Sequence, residues 1–375
     1  MTADKPSQPT PAEPTNAAQA TDTAGAAGTA APAPRGRLGR ALDAVDERMG
    51  IKALAYPVPE HANNLSWSLG GLTVVSFVTL LVTGIYLAQF FNPMPEDANQ
   101  SVRDLVSNVW LGGFARGLHY WAAQAMFVFA LLHLLRVFFH ASFKKPREGN
   151  WIVGVAMFLL AFLAVFTGTV IKWDQEGYEA LAHNLDVAKL LGGAGIWFTS
   201  DLSSRVPLVL RLYTAHAVII PGLILLLFVW HALLVKRHKI SPHPEIPAPE
   251  EETPEPFTAH LKRVAAFGLV LLGVLSVLAV VLPPVLGPTP VEGIEVTRPL
   301  WMFWWFFPME QWFGVASIAF VIAGVFGLLF LVPFLDRGPK RRWRERPFAT
   351  GSAVVLLLAI AAISVNVWIY NPKGH

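Results

Sequence analysis

Four histidines lie inside apolar stretches long enough to cross a membrane, and they form two pairs. His119 and His133 share one stretch, and His216 and His231 share another. An imidazole is costly in hydrocarbon, so a histidine placed there points to a function. The members of the pairs are 14 and 15 residues apart. At about 100° per residue each pair stays within about 40–60° of one helix face, and at about 1.5 Å rise its members stand about 21–23 Å apart along the axis. Two such helices facing each other can clamp two planar metal cofactors, one above the other. That arrangement moves electrons across much of a bilayer. Zinc fits poorly, because it wants four ligands closed around one point, and the two pairs are too far apart for that.

Glycines recur at a matching interval. Gly70 and Gly84 are 14 residues apart, as are Gly154 and Gly168. Glycine lets a large ring come close to a helix backbone, so flat cofactors at two depths are one reading. Ordinary packing of helices through small residues is the other. An iron held by two neutral imidazoles inside a haem passes electrons and keeps no open position for oxygen. Arg116 precedes His119 by three residues, Arg211 precedes His216 by five, and Arg136 follows His133 by three. Haem propionates are carboxylates, which Arg pairs with well. Snorkelling to the membrane interface is the simpler alternative.

The rest of the chain must position these residues. It has 375 residues, of which 54% are hydrophobic and 15% charged. Its apolar runs read as an all-α polytopic membrane protein with seven transmembrane helices. The expected spans are Leu69–Phe91, Leu118–Phe139, Val153–Ile171, Leu208–Val235, Val264–Leu282, Val315–Phe334 and Ser352–Tyr370. The net charge of +3 suggests no nucleic-acid partner. No apolar stretch precedes Leu69, so no secretory signal is expected. There is no cysteine, which excludes disulfides, thiolate-held iron–sulfur clusters and a thioether-linked c-type haem within this chain.

Residues 1–36 are poor in core-forming residues and are expected to be a disordered tail. Residues 37–58 carry apolar positions at helical spacing among charges and read as an amphipathic helix on the membrane surface, or else a solvated linker helix. A four-helix di-haem module follows at 59–240, then a Pro/Glu-rich linker at 241–262 and a three-helix C-terminal module at 263–375. Basic clusters at Arg35–Arg40, Lys144–Arg147, Lys236–Lys239 and Lys340–Arg346 all fall on one side if every span crosses once. By the positive-inside rule the N-terminus is then inside and the C-terminus outside, with outer loops at about 92–117, 172–207 and 283–314.

These residues resemble the cytochrome b family of cytochrome bc and b6f complexes. The likeness covers about residues 52–375. It rests on Arg116-Gly117-Leu118-His119-Tyr120-Trp121, Leu132-His133-Leu134-Leu135-Arg136-Val137, Lys144-Lys145-Pro146-Arg147-Glu148 with Trp151 and Gly154, Thr167-Gly168 with Trp173-Asp174-Gln175 and Tyr178, and Arg211-Leu212-Tyr213-Thr214-Ala215-His216 with Pro221. The form resembled is a cytochrome b6-like module joined to a subunit IV-like module. The resemblance implies two haem b groups. His119 and His216 would ligate the outer, lower-potential one, and His133 and His231 the inner, higher-potential one. It also implies quinol as substrate, an inner (cytoplasmic) membrane location among lipid, Rieske iron–sulfur and c-type cytochrome subunits as partners, and a homodimeric complex.

Two departures stand out. The b6f form attaches an extra haem through a cysteine at a position that is Ser68 here, so that group is expected to be absent. The family's outer quinol site carries Pro-Glu-Trp-Tyr, whose glutamate takes a proton from quinol; the matching segment here is Pro299-Leu300-Trp301-Met302-Phe303. Leucine accepts no proton, and general-base work needs a titratable group within reach. Glu310, Glu295 and Asp174 are the candidate substitutes, with Glu310 foremost. Lys172 stands where the family has proline. Trp301, Trp304, Trp305 and Trp312 read as an interfacial belt, or as the lining of a quinone pocket or partner surface. Lys236 falls near the family's inner quinone site and reads equally as a topology charge. His61 matches a family position ahead of the first span. His140, His183, His238, His243, His260 and His375 read as solvated or structural.

The resemblance leaves two functions open. The chain is the di-haem subunit of a quinol:cytochrome c oxidoreductase with coupled proton translocation, or it is a non-bifurcating conduit between the quinone pool and another redox protein. The missing glutamate favours the second and the three-helix module favours the first. A haem-free channel leaves the four-histidine register unexplained.

Overall fold

The computed structural model describes residues 57–245 and 255–369. The expected tail and nearly all of the expected surface helix lie outside the described residues, as do 246–254 of the linker and Tyr370 at the end of the last expected span. The elements are α1 (Leu65–Ala88), α2 (Ala98–Asn108), α3 (Gly112–Phe139), α4 (Glu148–Ile171), α5 (Gln175–Leu190), α6 (Leu208–His238), α7 (Phe257–Val281), α8 (Phe307–Phe313), α9 (Ala316–Leu335) and α10 (Pro347–Ile369). Among the described residues, seven helices are long and apolar enough to cross a membrane: α1, α3, α4, α6, α7, α9 and α10.

The membrane-length helices agree with the expected spans to within a few residues, except where polar residues extend them. Phe257 already begins α7, so helix replaces the last part of the expected linker at 241–262. Pro57–Val58 is an extended strand, β1, paired antiparallel with β2 (Glu255–Pro256). The expected surface helix therefore does not run to 58; proline at position 57 lacks the N–H that a helix interior needs.

Helix α1 packs on α3, α4 packs on α6, and α3 meets α4, which makes the four-helix module. Helix α7 lies against α3 and α1, and α9 lies against α4 and α5. The principal core lies where Phe127, Phe143, Trp151 and Phe162 meet Met302, Phe303 and Phe326. Hydroxyls inside α1 are satisfied within the helix: Thr73, Ser76, Thr79 and Thr83 each donate to the carbonyl four residues back. Hydrocarbon offers no other partner. Outward side chains such as Leu226, Trp230, Val270 and Phe320 are more than half exposed in the isolated chain, as expected of surfaces that face lipid.

Helix α6 is not a uniform α-helix. Residues Ala215–Ile219 form a π turn between Leu208–Thr214 and Ile220–His238. Pro221 lacks the N–H that would bond four residues back, and the π turn takes up one extra residue. The 15-residue interval from His216 to His231 thus turns through nearly the same angle as the 14-residue interval in the regular helix α3.

Three helices occupy regions expected to be loops, α2 within 92–117, α5 within 172–207 and α8 within 283–314. Asp174 caps α5 by accepting from Gly177 N–H at 3.0 Å. The same residues staple α5 to the segment after α7. Asp174 Oδ2 accepts from Gly287 N–H at 2.9 Å, Gln175 Oε1 from Val291 N–H at 2.7 Å, and the Glu179 carboxylate from the N–H groups of Val296 and Thr297 at 2.9 and 3.0 Å.

Candidate functional site

The four intramembrane histidines converge in pairs, and each faces one of the four glycines. A Cβ on Gly84 would stand 3.3 Å from His119 Cε1, and one on Gly168 only 2.8 Å from His216 Cε1. At the other level a Cβ on Gly70 would stand 3.1 Å from His133 Cε1, and one on Gly154 3.5 Å from His231 Cε1. The first and third spans therefore supply bare backbone where the second and fourth supply imidazoles. The rings of His119 and His216 are 6.2 Å apart between centroids.

Hydrogen bonds fix the chemistry of these two rings. His216 Nδ1 lies 3.0 Å from the Ala164 carbonyl. A carbonyl only accepts, so Nδ1 carries the hydrogen and Nε2 keeps the lone pair. Thr167 Oγ1 is also 3.1 Å from that Nδ1 while donating its own hydrogen to Leu163 O or Ala164 O. On the opposite side Thr83 Oγ1 lies 2.9 Å from His119 Nδ1 and donates to Thr79 O. Its single hydrogen is thus committed, and it accepts from His119. Both rings present Nε2 for coordination, as metal-bound histidines held by a supporting acceptor do. The sequence did not show Thr83 or the role of Thr167 beside the imidazole, although each directly precedes a glycine of the repeat, as Thr83-Gly84 and Thr167-Gly168.

The His133/His231 level opens into a cavity of about 690 Å³ lined also by Gly70, Gly154, Trp67, Arg136 and Lys236. Arg136 lies over the Trp67 ring with its guanidinium carbon 4.3 Å from the centroid. Buried Arg136 Nε and His231 Nδ1 find no partner within the chain, and Arg136 Nη2 reaches His133 Nδ1 only at 3.5 Å. Unpaired buried donors demand an explanation such as a bound group. A carboxylate arm of an iron-bearing ring answers the Arg136 donor, and the facing imidazoles of His133 and His231 beside Gly70 and Gly154 can hold the iron, so the donor set fits haem at this level as at the other.

The other two arginines are engaged with loops. Arg116 donates to Pro284 O at 2.6 Å and to Val285 O, and Arg211 donates to Trp197 O at 3.1 Å and to Thr199 O. Ser68, at the position of the b6f cysteine, is 1% exposed and donates to Asn64 O. His61, His140 and His243 cluster with Trp67 beside the larger cavity.

A second cavity, of about 250 Å³, lies under α5. Phe162, Phe166, Phe303 and Phe306 make its wall, and Glu310, Glu295 and His183 border it. Leu300 is not among its lining residues and packs against the principal core instead. Glu310 Oε2 lies 2.9 Å from His183 Nε2, and Glu295 Oε1 lies 3.2 Å from the same nitrogen. His183 Nδ1 lies 2.7 Å from the Glu179 carbonyl. Burial alone would lower the His183 pKa, but the bonds to Glu310 and Glu179 and the charge of both glutamates outweigh it and raise the pKa to about 9. Of the two readings of His183 the solvated one is corrected: it sits at this cavity between two carboxylates. The signal was the Asp174 cap with apolar Leu181 and Leu185 at helical spacing, which marks an amphipathic helix between the third and fourth membrane-length helices.

Asp174 leaves the list of candidate acids. It is 1% exposed, and Gly177 N–H, Gly287 N–H and Lys172 Nζ at 3.0 Å take up its carboxylate. Lys172 also pairs with Glu176. Trp301 and Trp304 bond within the chain, to Gln124 and to Pro299 O, while Trp312 is 49% exposed.

Comparison with known proteins bears on the whole arrangement. The family model described as cytochrome b (N-terminal)/b6/petB matches residues 124–290. Cytochrome b6 of Heliomicrobium gestii is 33% identical over 190 residues, covering 50% of this chain and 89% of that protein. The menaquinol:cytochrome c reductase cytochrome b subunit of Geobacillus thermodenitrificans is 33% identical over 220 residues, covering 54% and 98%. A cytochrome bc complex cytochrome b subunit of Chlorobaculum thiosulfatiphilum is 29% identical over 335 residues, covering 83% and 74%. A solved chain described as hyperthermophilic respiratory Complex III shares the fold, with a TM-score of 0.76 over 88% of this chain and 92% of that one at 20% identity. With paired histidines, facing glycines and seven membrane-length helices in place, the chain belongs to the cytochrome b/b6 family.

Proposed function

We propose that this chain is the di-haem membrane subunit of a bc-type quinol:cytochrome c oxidoreductase, seated in the cytoplasmic membrane with its N-terminus inside. His119 and His216 hold the outer haem b, and His133 and His231 the inner one. The observation that carries this reading is the match of four histidines to four glycines, with Nε2 left free on His119 and His216. Bound there, the two haems supply one-electron carriers at two depths of the membrane.

The chain's own residues do the rest. Thr83, Thr167 and the Ala164 carbonyl hold the outer imidazoles in the coordinating tautomer. Arg136 offers its unpaired Nε to a carboxylate at the inner level. The aromatic wall of the smaller cavity accepts an apolar quinol ring and excludes water, and Glu310 receives a proton from the quinol hydroxyl in place of the family's missing glutamate. Lys236 borders the larger cavity, where a quinone on the inner side would bind. With no cysteine in the chain, a Rieske cluster and a c-type haem belong to partner subunits, and the complex is a dimer.

The substitution of Leu300 for the acid favours a second reading, a conduit that passes electrons without splitting them between two acceptors. Purification of the intact complex separates the two. Co-purification of a Rieske protein and a c-type cytochrome, with quinol reducing the cytochrome, supports the oxidoreductase. Two b haems per chain without those subunits and without quinol:cytochrome c activity support the conduit.

A further inference from the structure

The smaller cavity is apolar, yet one histidine and two carboxylates meet at its edge. Glu310 is 21% exposed and Glu295 is 67% exposed, and His183 Nε2 lies within 3.2 Å of both. His183 Nδ1 faces a backbone carbonyl at 2.7 Å, so it keeps its hydrogen and only Nε2 exchanges one. The ring is held still by a helix that Asp174, Gln175 and Glu179 staple down. Other charges nearby are already paired. The Glu179 carboxylate accepts from Val296, Thr297 and Gln175, and Glu176, which also borders the cavity, pairs with Lys172.

We propose that His183 and Glu295 form the proton outlet of this cavity, carrying a proton from Glu310 to the outer solvent. The inference rests on the reading of the cavity as the quinol site. In the starting state His183 is an imidazolium between two carboxylates, consistent with its raised pKa. Glu310 takes the proton of a bound quinol hydroxyl. The His183 Nε2 hydrogen moves to Glu295, which releases it to solvent. Nε2 then takes the proton from Glu310 and restores the starting state. One proton leaves the cavity per cycle, and no bond other than O–H and N–H changes. In this relay His183 acts through Glu310.

The test uses the purified complex with its partner subunits, assayed with a short-chain quinol and cytochrome c. His183→Ala, His183→Asn and Glu295→Gln are compared with wild type, with haem content as the check on folding. Glu295 is largely exposed, so its variant keeps the test open if changes at His183 impair assembly. The expected result is two haems per chain and a loss of at least about tenfold in kcat for Glu295→Gln and both His183 variants. Added imidazole should restore turnover to His183→Ala but not to His183→Asn, in which a side chain unable to carry a proton fills the space. Wild-type turnover in Glu295→Gln, or in the haem-replete His183 variants, overturns the relay while leaving the quinol site standing. A wild-type complex that oxidises no quinol overturns the reading of the cavity and the relay with it.

Discussion

Thr83 Oγ1 lies 2.9 Å from His119 Nδ1, and its only hydrogen is already given to Thr79 O. The hydroxyl therefore accepts from the imidazole. Such a bond would make the ring a stronger donor through Nε2, which would favour ferric iron and lower the potential of a haem held there. Thr83→Val removes the acceptor. A hydrogen bond of about 1 kcal/mol converts to roughly 40 mV for one electron, so redox titration should place the outer haem higher by about that amount, with the inner haem unmoved. The reverse pattern contradicts the assignment.

Close approach at Gly168 gives a steric prediction. A Cβ there would stand 2.8 Å from His216 Cε1, closer than non-bonded carbons tolerate, so the ring must shift off its axis. Gly168→Ala should lower the haem count from two towards one, read as pyridine haemochrome per chain. Gly149→Ala is the control, since nothing lies within 4 Å of its added Cβ, and it should leave the count unchanged while favouring the helix by up to about 1 kcal/mol.

The ion pairs of His183 predict a pH dependence of stability. Its pKa is raised to about 9, against roughly 6.5 for a free imidazole. The stabilisation is complete below about pH 6.5 and is lost as pH rises through about 9. Wild type should therefore lose more thermal stability than His183→Asn between about pH 7 and pH 10. Equal losses in the two proteins would show that the pair with Glu310 and Glu295 contributes nothing.

A buried charge cluster joins the turn after α3 to the turn after α9. Lys144 Nζ meets Asp336 Oδ1 at 2.8 Å and the carbonyls of Gly338 and Lys340, while Arg346 meets Asp336 Oδ2 at 2.6 Å. Lys144 is 6% exposed and Arg346 is 5% exposed. Asp336→Ala leaves two buried cations without their anion, a change that costs about 3–5 kcal/mol. Thermal unfolding should show a clear loss of stability, far beyond that of an exposed substitution such as Glu345→Ala.

Much of this architecture is legible in the sequence, for a physical reason. Hydrocarbon allows no unpaired polar backbone, so the long apolar runs at α1, α3, α4 and α6 admit only helix, and an imidazole among them is conspicuous. The matching 14- and 15-residue intervals of histidines and glycines are visible in the sequence, but which glycine faces which histidine is set by the packing of α1 on α3 and of α4 on α6. What the sequence hides is long-range. His183 lies on α5, and its partners Glu295 and Glu310 stand more than 100 residues further along the chain. Only the fold brings them to one nitrogen. Asp174 looked like a candidate acid because charge is visible in a sequence and hydrogen-bond saturation is not. The π turn at Ala215–Ile219 was foreshadowed by Pro221 and by the one-residue difference between the two histidine intervals.

The central claim is that the two histidine pairs hold two b haems. Haem stoichiometry in the purified wild-type chain, measured beside His119→Ala and His231→Ala, tests it most directly. Two low-spin b haems per wild-type chain are predicted, with each variant keeping only the haem of the untouched pair. A wild-type chain with one haem or none, or variants that both retain two, contradicts it.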